Sequence, residues 1–466
     1  MTRAWWISFA VATLLRAVAA ARLPLQGTEA YYWLWSQHLA AGYYDHPPLV
    51  AWSIALSTAL LGQKELSVRL PALAGVSLAT LAVWWLARRL AGEEAGARAG
   101  LAALAFPYLS YLSVTVFPDG LLLGFSGLSL ALAWAGRWAA SGFCMGLALL
   151  AKFPAVTLAA ATLAWKRALR PLLPWALWAL LALSPFLAWN ASHDWATFAY
   201  QLGTRTAREG RLRPLGVVEF LAGQAAAAHP VLFVVLVGAV AWAWRRGGRE
   251  GSFLALHAAL PFAFFLLLAL GQRVQPHWPL VAYLTALPAL GWACLESPRF
   301  RLGWSLGVGL SGSLVALALA VFALAPGLFF LPPYEWRASL TEPWGFAGLG
   351  RRLASEAGDR FLLAENHGTA GALTFYSGQT VHWYSKNLHG REFLRWEDYS
   401  ALRGRDALFV DTRPLEERPD VRQMLAGAFQ EVGPTETVVI HWQGRPARTF
   451  YLTSCRGFTG QPPPEG

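Results

Sequence analysis

Gly27 to Pro48 reads GTEAYYWLWSQHLAAGYYDHPP, a polar and aromatic stretch set between two strongly apolar ones. It carries two acids, Glu29 and Asp45, and between them the rings of Tyr31, Tyr32, Trp33, Trp35, Tyr43 and Tyr44. Tryptophan and tyrosine collect where a membrane meets water, because their rings are apolar and their tips are polar. The same rings offer flat faces on which a sugar stacks, and a carboxylate beside them can take a proton from a hydroxyl. Either way the stretch reads as a loop at a membrane surface, so the fold turns on whether its flanks are membrane spans.

Composition says that they are. Of 466 residues 56% are hydrophobic and 24 are tryptophan, which is the profile of a polytopic membrane protein. The formal net charge of +11 does not point to nucleic acid, because the basic residues fall in short clusters between apolar runs, as cytoplasmic loops require. Of three cysteines, Cys144 and Cys294 lie in or near apolar runs and Cys455 in a polar region, so no disulfide framework or thiol metal site is encoded. The start, with its basic end and A-x-A-like finish, resembles a signal peptide. Arg16 interrupts its apolar run and many spans follow, so it is read as the first span.

Outward from the opening stretch, residues 4–22 span with Arg3 inside, which puts the loop 23–68 outside. Within that loop residues 49–62 are apolar but short of the roughly 20 residues of a crossing, and they fit a helix lying at the interface. Spans follow at 69–90, 98–117 and 119–137, with Arg88, Arg89 and Arg137 inside and Pro118-Asp119 at the outer turn. Residues 141–165 lie between two basic, cytoplasmic flanks. A hairpin of two short helices broken at Lys152-Phe153-Pro154 satisfies length and charge together, since proline breaks a helix and irregular backbone at depth must be buried in protein. Further spans are 171–189, 216–244, 251–270, 279–296 and 303–325, with outer loops 190–215 and 271–279. The total is about eleven passes over 1–325.

From 326 to 455 the composition is that of an ordinary small α/β domain, outside by parity. Strands are expected at 361–366, 380–385 and 406–412, helices at 345–357, 368–376 and 419–430, and a closing hairpin across Gly444-Arg445-Pro446. The Pro/Gly-rich tail 456–466 reads as disordered.

The ionisable groups of the membrane domain converge on its outer face: Glu29, Asp45, Asp119 and Lys152, with polar clusters around His193 and His277. Such groups are expensive near a bilayer and so mark a site. A transporter for a lipid-linked substrate, or a binding protein for one, is the alternative reading, but it would hold its charges near the midplane. The outer side lacks nucleotide sugars, so a transfer reaction there takes a donor that is already activated, and a lipid-linked phosphosugar is one. In such a reaction a carboxylate acts as general base on the acceptor, and Lys152, Arg205 and Arg273 would meet the departing phosphate. The arginines Arg205, Arg208, Arg211 and Arg213 of the loop 190–215 would have a partner in those phosphate oxygens. No Gly-rich phosphate loop or metal-ligand spacing is present, and His367, His382 and His389 fit no ligand motif.

Thr28-Glu29-Ala30-Tyr31-Tyr32-Trp33, Tyr44-Asp45-His46-Pro47-Pro48-Leu49, Arg69-Leu70-Pro71, Pro118-Asp119, the run from Gly146 to Lys152, Asp194-Trp195 with Gln201, and Pro276-His277-Trp278-Pro279 occur in that order. Together they resemble the GT-C glycosyltransferases of the dolichyl-phosphate-mannose-protein mannosyltransferase and lipid A aminoarabinose transferase type, closest to the bacterial lipopolysaccharide-core branch. The resemblance implies a GT-C-like polytopic α-helical fold in the cell's inner membrane, with the active site and the C-terminal domain extracytoplasmic. It further implies inverting transfer of a hexosyl or pentosyl group from a polyprenyl-phosphate donor to an envelope glycan, lipid or protein. Glu29, Asp45 and Asp119 are then the candidate catalytic acids, and Tyr31, Tyr32, Tyr44, His46, Gln201, His277 and Trp278 line the substrate. The family usually has Asp-Glu where this chain has Thr28-Glu29. Glu29, Asp45 or Asp119 takes the role of base, or the chain is a degenerate or differently specialised member. Relatives differ in metal dependence, which leaves a divalent metal open.

Overall fold

The computed structural model describes residues 1–166, 168–204, 212–330, 338–386 and 390–464. They form two compact units, one of Met1–Ala20, Ala40–Gly62 and Arg69–Ala323, the other of Ala21–Leu39, Gln63–Val68 and Leu324–Gly466.

The first unit is helical. Six helices among the described residues are long and apolar enough to cross a membrane: Thr2–Arg22, Glu65–Ala91, Leu169–Ala191, Gly248–Leu268, Trp278–Glu296 (which opens with a 3-10 turn) and Pro298–Leu324. Two bent pairs, Pro107–Val114 with Pro118–Trp134 and Pro214–Ala228 with Pro230–Arg246, raise the number to as many as eight. The chain is a multi-pass membrane protein. Helix Pro298–Leu324 keeps Leu302, Leu306, Leu310, Leu314 and Leu317 exposed at helical spacing, an apolar stripe suited to lipid.

Proline decides where the helices break. The expected span 98–117 is two helices, Glu93–Leu104 and Pro107–Val114. The expected span 216–244 is also two, turned through 105° where His229, at φ 76°, meets Pro230. Each proline has no amide to continue the previous helix but is well suited to begin the next. Apolarity alone concealed both breaks.

The hairpin is present. Helix Trp138–Ala151 ends at Lys152, in extended backbone, and Ala155–Trp165 begins after Pro154. The far ends come back together: the Trp165 ring lies 6.4 Å from Trp138 and 6.1 Å from Trp134. The first half packs between helices Pro118–Trp134 and Leu169–Ala191, and the second against Gly248–Leu268. Ser129 and Ser141 tie the first half to Pro118–Trp134, each hydroxyl donating to the other's carbonyl at 2.8 Å. On its other side Gly142 and Gly146 lie against Trp175 and Ala179 so closely that a Cβ at either would overlap a carbonyl of Leu169–Ala191. Helices in lipid gain little from apolar burial against each other, so small residues that admit close backbone contact carry the packing. Arg16, which breaks the apolar run of the first helix, is buried and donates to the Leu104 carbonyl and, at 2.6 Å, to Ser110 Oγ.

The second unit is a five-stranded sheet flanked by helices. Strands β1 (Phe361–Ala364), β2 (Val381–Trp383), β3 (Ala407–Asp411), β4 (Phe429–Trp442) and β5 (Arg445–Phe458) lie in the order β2-β1-β3-β5-β4. The first three run parallel, and β5 and β4 add antiparallel. β1 and β3 are buried along their whole length, as strands covered on both faces must be. Phe361, Leu363, Phe409, Leu425, Phe429 and Phe458 form the core. The closing turn is Gln443-Gly444, both at positive φ, with Arg445 and Pro446 already in β5. The last strand also takes in residues 456–458 of the expected disordered tail.

The opening stretch departs most from expectation. Residues Gly27–Gln37 are a helix rather than a loop, and they belong to the second unit, not to a membrane domain 1–325. The reason is a glycine crossing. Gly27 meets Gly368, and Gly371 lies against Ala30 and Tyr31, at distances that leave a Cβ only 2.9–3.1 Å from backbone atoms. Tyr31 stacks on Phe393 at 6.0 Å, Trp33 meets Phe375 edge-on at 5.0 Å, and Trp33 Nε1 donates to Gln63 Oε1 at 2.6 Å. Aromatic rings on this helix are therefore core.

Gly142→Val puts a branched side chain where no Cβ fits, and overpacking of this kind costs about 1–3 kcal/mol or more. A lowered melting temperature in detergent is expected, whereas Gly309→Ala, with open space at its Cβ, leaves melting unchanged.

Candidate active site

Asp119 occupies the first turn of helix Pro118–Trp134, where proline at the first position fixes the start of the helix. Gly120, its neighbour, lies so close to Ala72 that a Cβ would stand only 2.9 Å from the Ala72 Cα, which seats this end of the helix on Glu65–Ala91. Lys152 reaches Asp119 from the hairpin break, Nζ to Oδ2 at 2.8 Å, and both side chains are buried. Asp119 Oδ1 has no hydrogen-bond partner among the described residues. Burying a carboxylate and an ammonium costs several kcal/mol per ion, offset here by short contact in a low-dielectric interior. Lys152 stands in extended backbone at the end of helix Trp138–Ala151, which brings its side chain to the level of Asp119.

His277 stands beside this pair. Its Nδ1 is 3.4 Å from the Tyr108 hydroxyl, and the two rings lie 6.2 Å apart at 22°. Trp278 packs with Phe265 and Phe220 in an apolar cluster. Behind them Gln224 Nε2 donates to the Pro276 carbonyl at 3.0 Å, and the Tyr283 hydroxyl donates to Gln224 Oε1 at 3.1 Å. The expected loop 190–215 meets the end of the expected span 251–270 where the Arg213 amide donates to the Leu270 carbonyl at 2.8 Å. Arg273 is exposed. Arg205, Arg208 and Arg211, like His389 of the second unit, lie outside the described residues.

Tyr44, Asp45 and His46 form a second group in the same unit. They occupy a tight turn in which the Tyr43 amide donates to the His46 carbonyl at 3.2 Å. The turn is clamped by its backbone: Thr197 Oγ1 donates to the Tyr43 carbonyl at 2.7 Å, and Gln201 Nε2 donates to the Asp45 carbonyl. Thr197 is held in turn by Asn190, whose Oδ1 accepts the Thr197 amide. Tyr44 packs on Tyr200 at 4.9 Å, and Asp45 and His46 are buried.

Glu29, Tyr31 and Tyr32 sit elsewhere, on the helix that belongs to the second unit. Glu29 is fully buried and its Oε2 accepts the Gln26 amide at 2.9 Å, the geometry of an acid satisfying the start of its own helix. Tyr31 is packed between His367, at 4.6 Å, and Phe393. The candidate acids thus divide: one is ion-paired, one lies in a clamped turn and one caps a helix. Sequence reasoning missed Tyr108, Asn190, Thr197, Gln224 and Tyr283. For Asn190 and Gln224 a signal existed, an amide within or beside an apolar run; for Tyr108 there was none. Among the described residues no group of three or more His, Cys, Asp or Glu side chains could hold a metal ion.

Residues 45–189 match the family model described as dolichyl-phosphate-mannose-protein mannosyltransferase. Over 439 residues the chain is 25% identical to the lipid A galacturonosyltransferase RgtD of Rhizobium johnstonii, covering 89% of each chain. Two crystal structures of ArnT from Cupriavidus metallidurans, apo and bound to undecaprenyl phosphate, match with TM-scores of 0.65 and 0.68 at 19% identity, covering 97% of this chain and 98% of theirs. The fold is that of the GT-C glycosyltransferases. The segment matched by the family model carries Asp45, Asp119 and Lys152 and excludes Glu29.

Removing one partner of the Asp119–Lys152 pair leaves a buried charge uncompensated, which costs about 3–5 kcal/mol. Lys152→Met is therefore expected to lower the melting temperature sharply, and the double variant Asp119→Asn with Lys152→Met to recover most of the loss. A double variant as unstable as the single one would show that the pair is not what the fold depends on here.

Proposed function

We propose that the chain is a membrane glycosyltransferase that moves a sugar from a polyprenyl-phosphate donor to an envelope acceptor on the extracytoplasmic face of the inner membrane. The observation that carries this reading is the buried Asp119–Lys152 pair at the hairpin break, with Tyr108 and His277 beside it. It is a polar site built into the end of an apolar bundle, where a lipid-borne phosphate and a water-borne acceptor can meet. The curated relative, named for galacturonosyl transfer to lipid A, makes a lipid A-like glycolipid the acceptor to assay first.

In this mechanism the acceptor oxygen attacks the anomeric carbon as its proton passes to a carboxylate, and the bond from the sugar to the lipid phosphate breaks with inversion. Asp45 is the base. Asp119 is already engaged, its Oδ2 accepting from Lys152 at 2.8 Å. Glu29 is engaged by the Gln26 amide at the start of a helix of the second unit. Lys152, oriented by Asp119, meets the developing charge on the departing phosphate, the step at which a positioned cation contributes most. His277 and Tyr108 hydrogen-bond substrate oxygens.

Charge at the other end of the bundle supports the orientation. Arg249 lies 4.6 Å over the Trp134 ring, Lys166 5.8 Å over Trp138, and Arg246 4.8 Å over Trp292. These cations gather at the end where the hairpin closes, away from Lys152, which is the cytoplasmic end by the positive-inside rule.

Asp45→Asn is expected to lower kcat about 10²–10⁴-fold in a transfer assay with purified enzyme and polyprenyl-phosphate sugars, with little change in KM for the donor. Full activity in Asp45→Asn would remove Asp45 as the base, and wild-type enzyme inert toward every such donor would remove the reading itself. In intact spheroplasts Ser192→Cys is expected to react with a membrane-impermeant maleimide and Arg299→Cys only after lysis. The opposite pattern would invert the orientation.

A further inference from the structure

Gln224 and Tyr283 belong to no part of the reading above, yet they make a fully satisfied polar relay inside an apolar bundle. Gln224 is completely buried and Tyr283 nearly so. The amide uses both of its ends, Oε1 accepting from Tyr283 at 3.1 Å and Nε2 donating to the Pro276 carbonyl at 3.0 Å. A buried amide costs stability unless such bonds are made, so its two partners fix its orientation. Pro276 immediately precedes His277, and proline has no amide with which to hold that turn itself.

Two features bring Gln224 to this position. The 105° turn at His229-Pro230 directs helix Pro214–Ala228 away from the line of Pro230–Arg246. The helix then lies in ordinary contact with Pro276 at Gly223, beside Gln224, the Pro276 Cγ being 3.4 Å from where a Cβ would stand. A straight helix over the same residues would carry Gln224 elsewhere, so the strained backbone at His229 has a structural use.

We propose that Gln224, fixed by Tyr283, is a positioning residue that holds the Pro276 carbonyl and thereby aims His277 at the Tyr108 hydroxyl and the Asp119–Lys152 pair. It acts on the reaction through His277 and touches no substrate. The inference rests on the transferase reading for its kinetic consequence, but not for its structural one.

The experiment compares Gln224→Met, Gln224→Glu and Tyr283→Phe, each alone and with His277→Ala, in the full-length detergent-solubilised protein. The structural readout is the rate at which diethylpyrocarbonate modifies His277, followed by peptide mass spectrometry. It is expected to rise several-fold in Gln224→Met, less in Tyr283→Phe, and to stay near wild type in Gln224→Glu, which keeps an acceptor for Tyr283 and, when protonated, a donor for Pro276. The kinetic readout is transfer from polyprenyl-phosphate sugar. Gln224→Met is expected to lose about 10-fold in kcat/KM, the size of one orienting hydrogen bond. That loss should vanish in the His277→Ala background, because residues acting in series are not additive. An unchanged His277 modification rate in both Gln224→Met and Tyr283→Phe would overturn the proposal, as would an undiminished loss in the His277→Ala background. A changed modification rate in a protein with no transferase activity would sustain the positioning role while removing the transferase reading. If Gln224→Met does not fold, Tyr283→Phe, which removes only a hydroxyl, carries the same test.

Discussion

An ion pair between two residues on different helices, Asp119 and Lys152, sets the terms for the rest of the membrane unit. Two charges buried among apolar helices are tolerable only at short range and with their surroundings fixed. The surroundings are fixed by proline and by small residues. Pro118 starts the helix that bears the acid, and Pro154 ends the excursion that bears the lysine. Gly120 lets helix Glu65–Ala91 close on the first of these helices, and Gly142 and Gly146 let Leu169–Ala191 close on the second. The reciprocal hydroxyl bonds of Ser129 and Ser141 hold the two helices in register further along. The hairpin exists in this form because a lysine at its tip has somewhere to go.

The same economy of small residues governs the second unit. The helix Gly27–Gln37 lies against His367–Ser377 through glycine, and its aromatic residues fill the space that the close crossing leaves at either side. An acid in its first turn then has an amide to satisfy. A stretch that looks like a membrane-surface belt is in this way the outer layer of an α/β sheet domain. The parallel core β2-β1-β3 and the long antiparallel pair beside it form the platform on which that layer rests.

The segments most easily read were those whose structure is local. Strands FLLA and ALFVD, continuous apolar runs bounded by turn residues, formed where expected. So did the break at Pro154. Residues 216–229 failed as part of a single span because length and apolarity are the same whether a helix runs straight or turns through a right angle. The turn needs His229 at positive φ, which only the packing of both halves can enforce. For the proposed site, Asp45, Asp119, Lys152 and His277 stand out in the sequence as rare ionisable groups among apolar ones. Their partners were not. Tyr108 looked like any tyrosine near an interface, and Gln224 like any residue of a span.

By itself the sequence determined a multi-pass helical membrane protein with a small α/β domain, the position of its hairpin, and the short list of acids and cations from which a site can be made. These follow from apolar run length, charge placement and proline, all of which act on neighbouring residues. Only the tertiary structure decided what each acid does: Asp119 is neutralised by a lysine 33 residues away, Asp45 lies in a turn clamped by Thr197 and Gln201, and Glu29 caps a helix of the other unit. Ion pairs, clamps and glycine crossings join residues far apart in the chain. Their existence depends on which surfaces meet, and no local pattern encodes that.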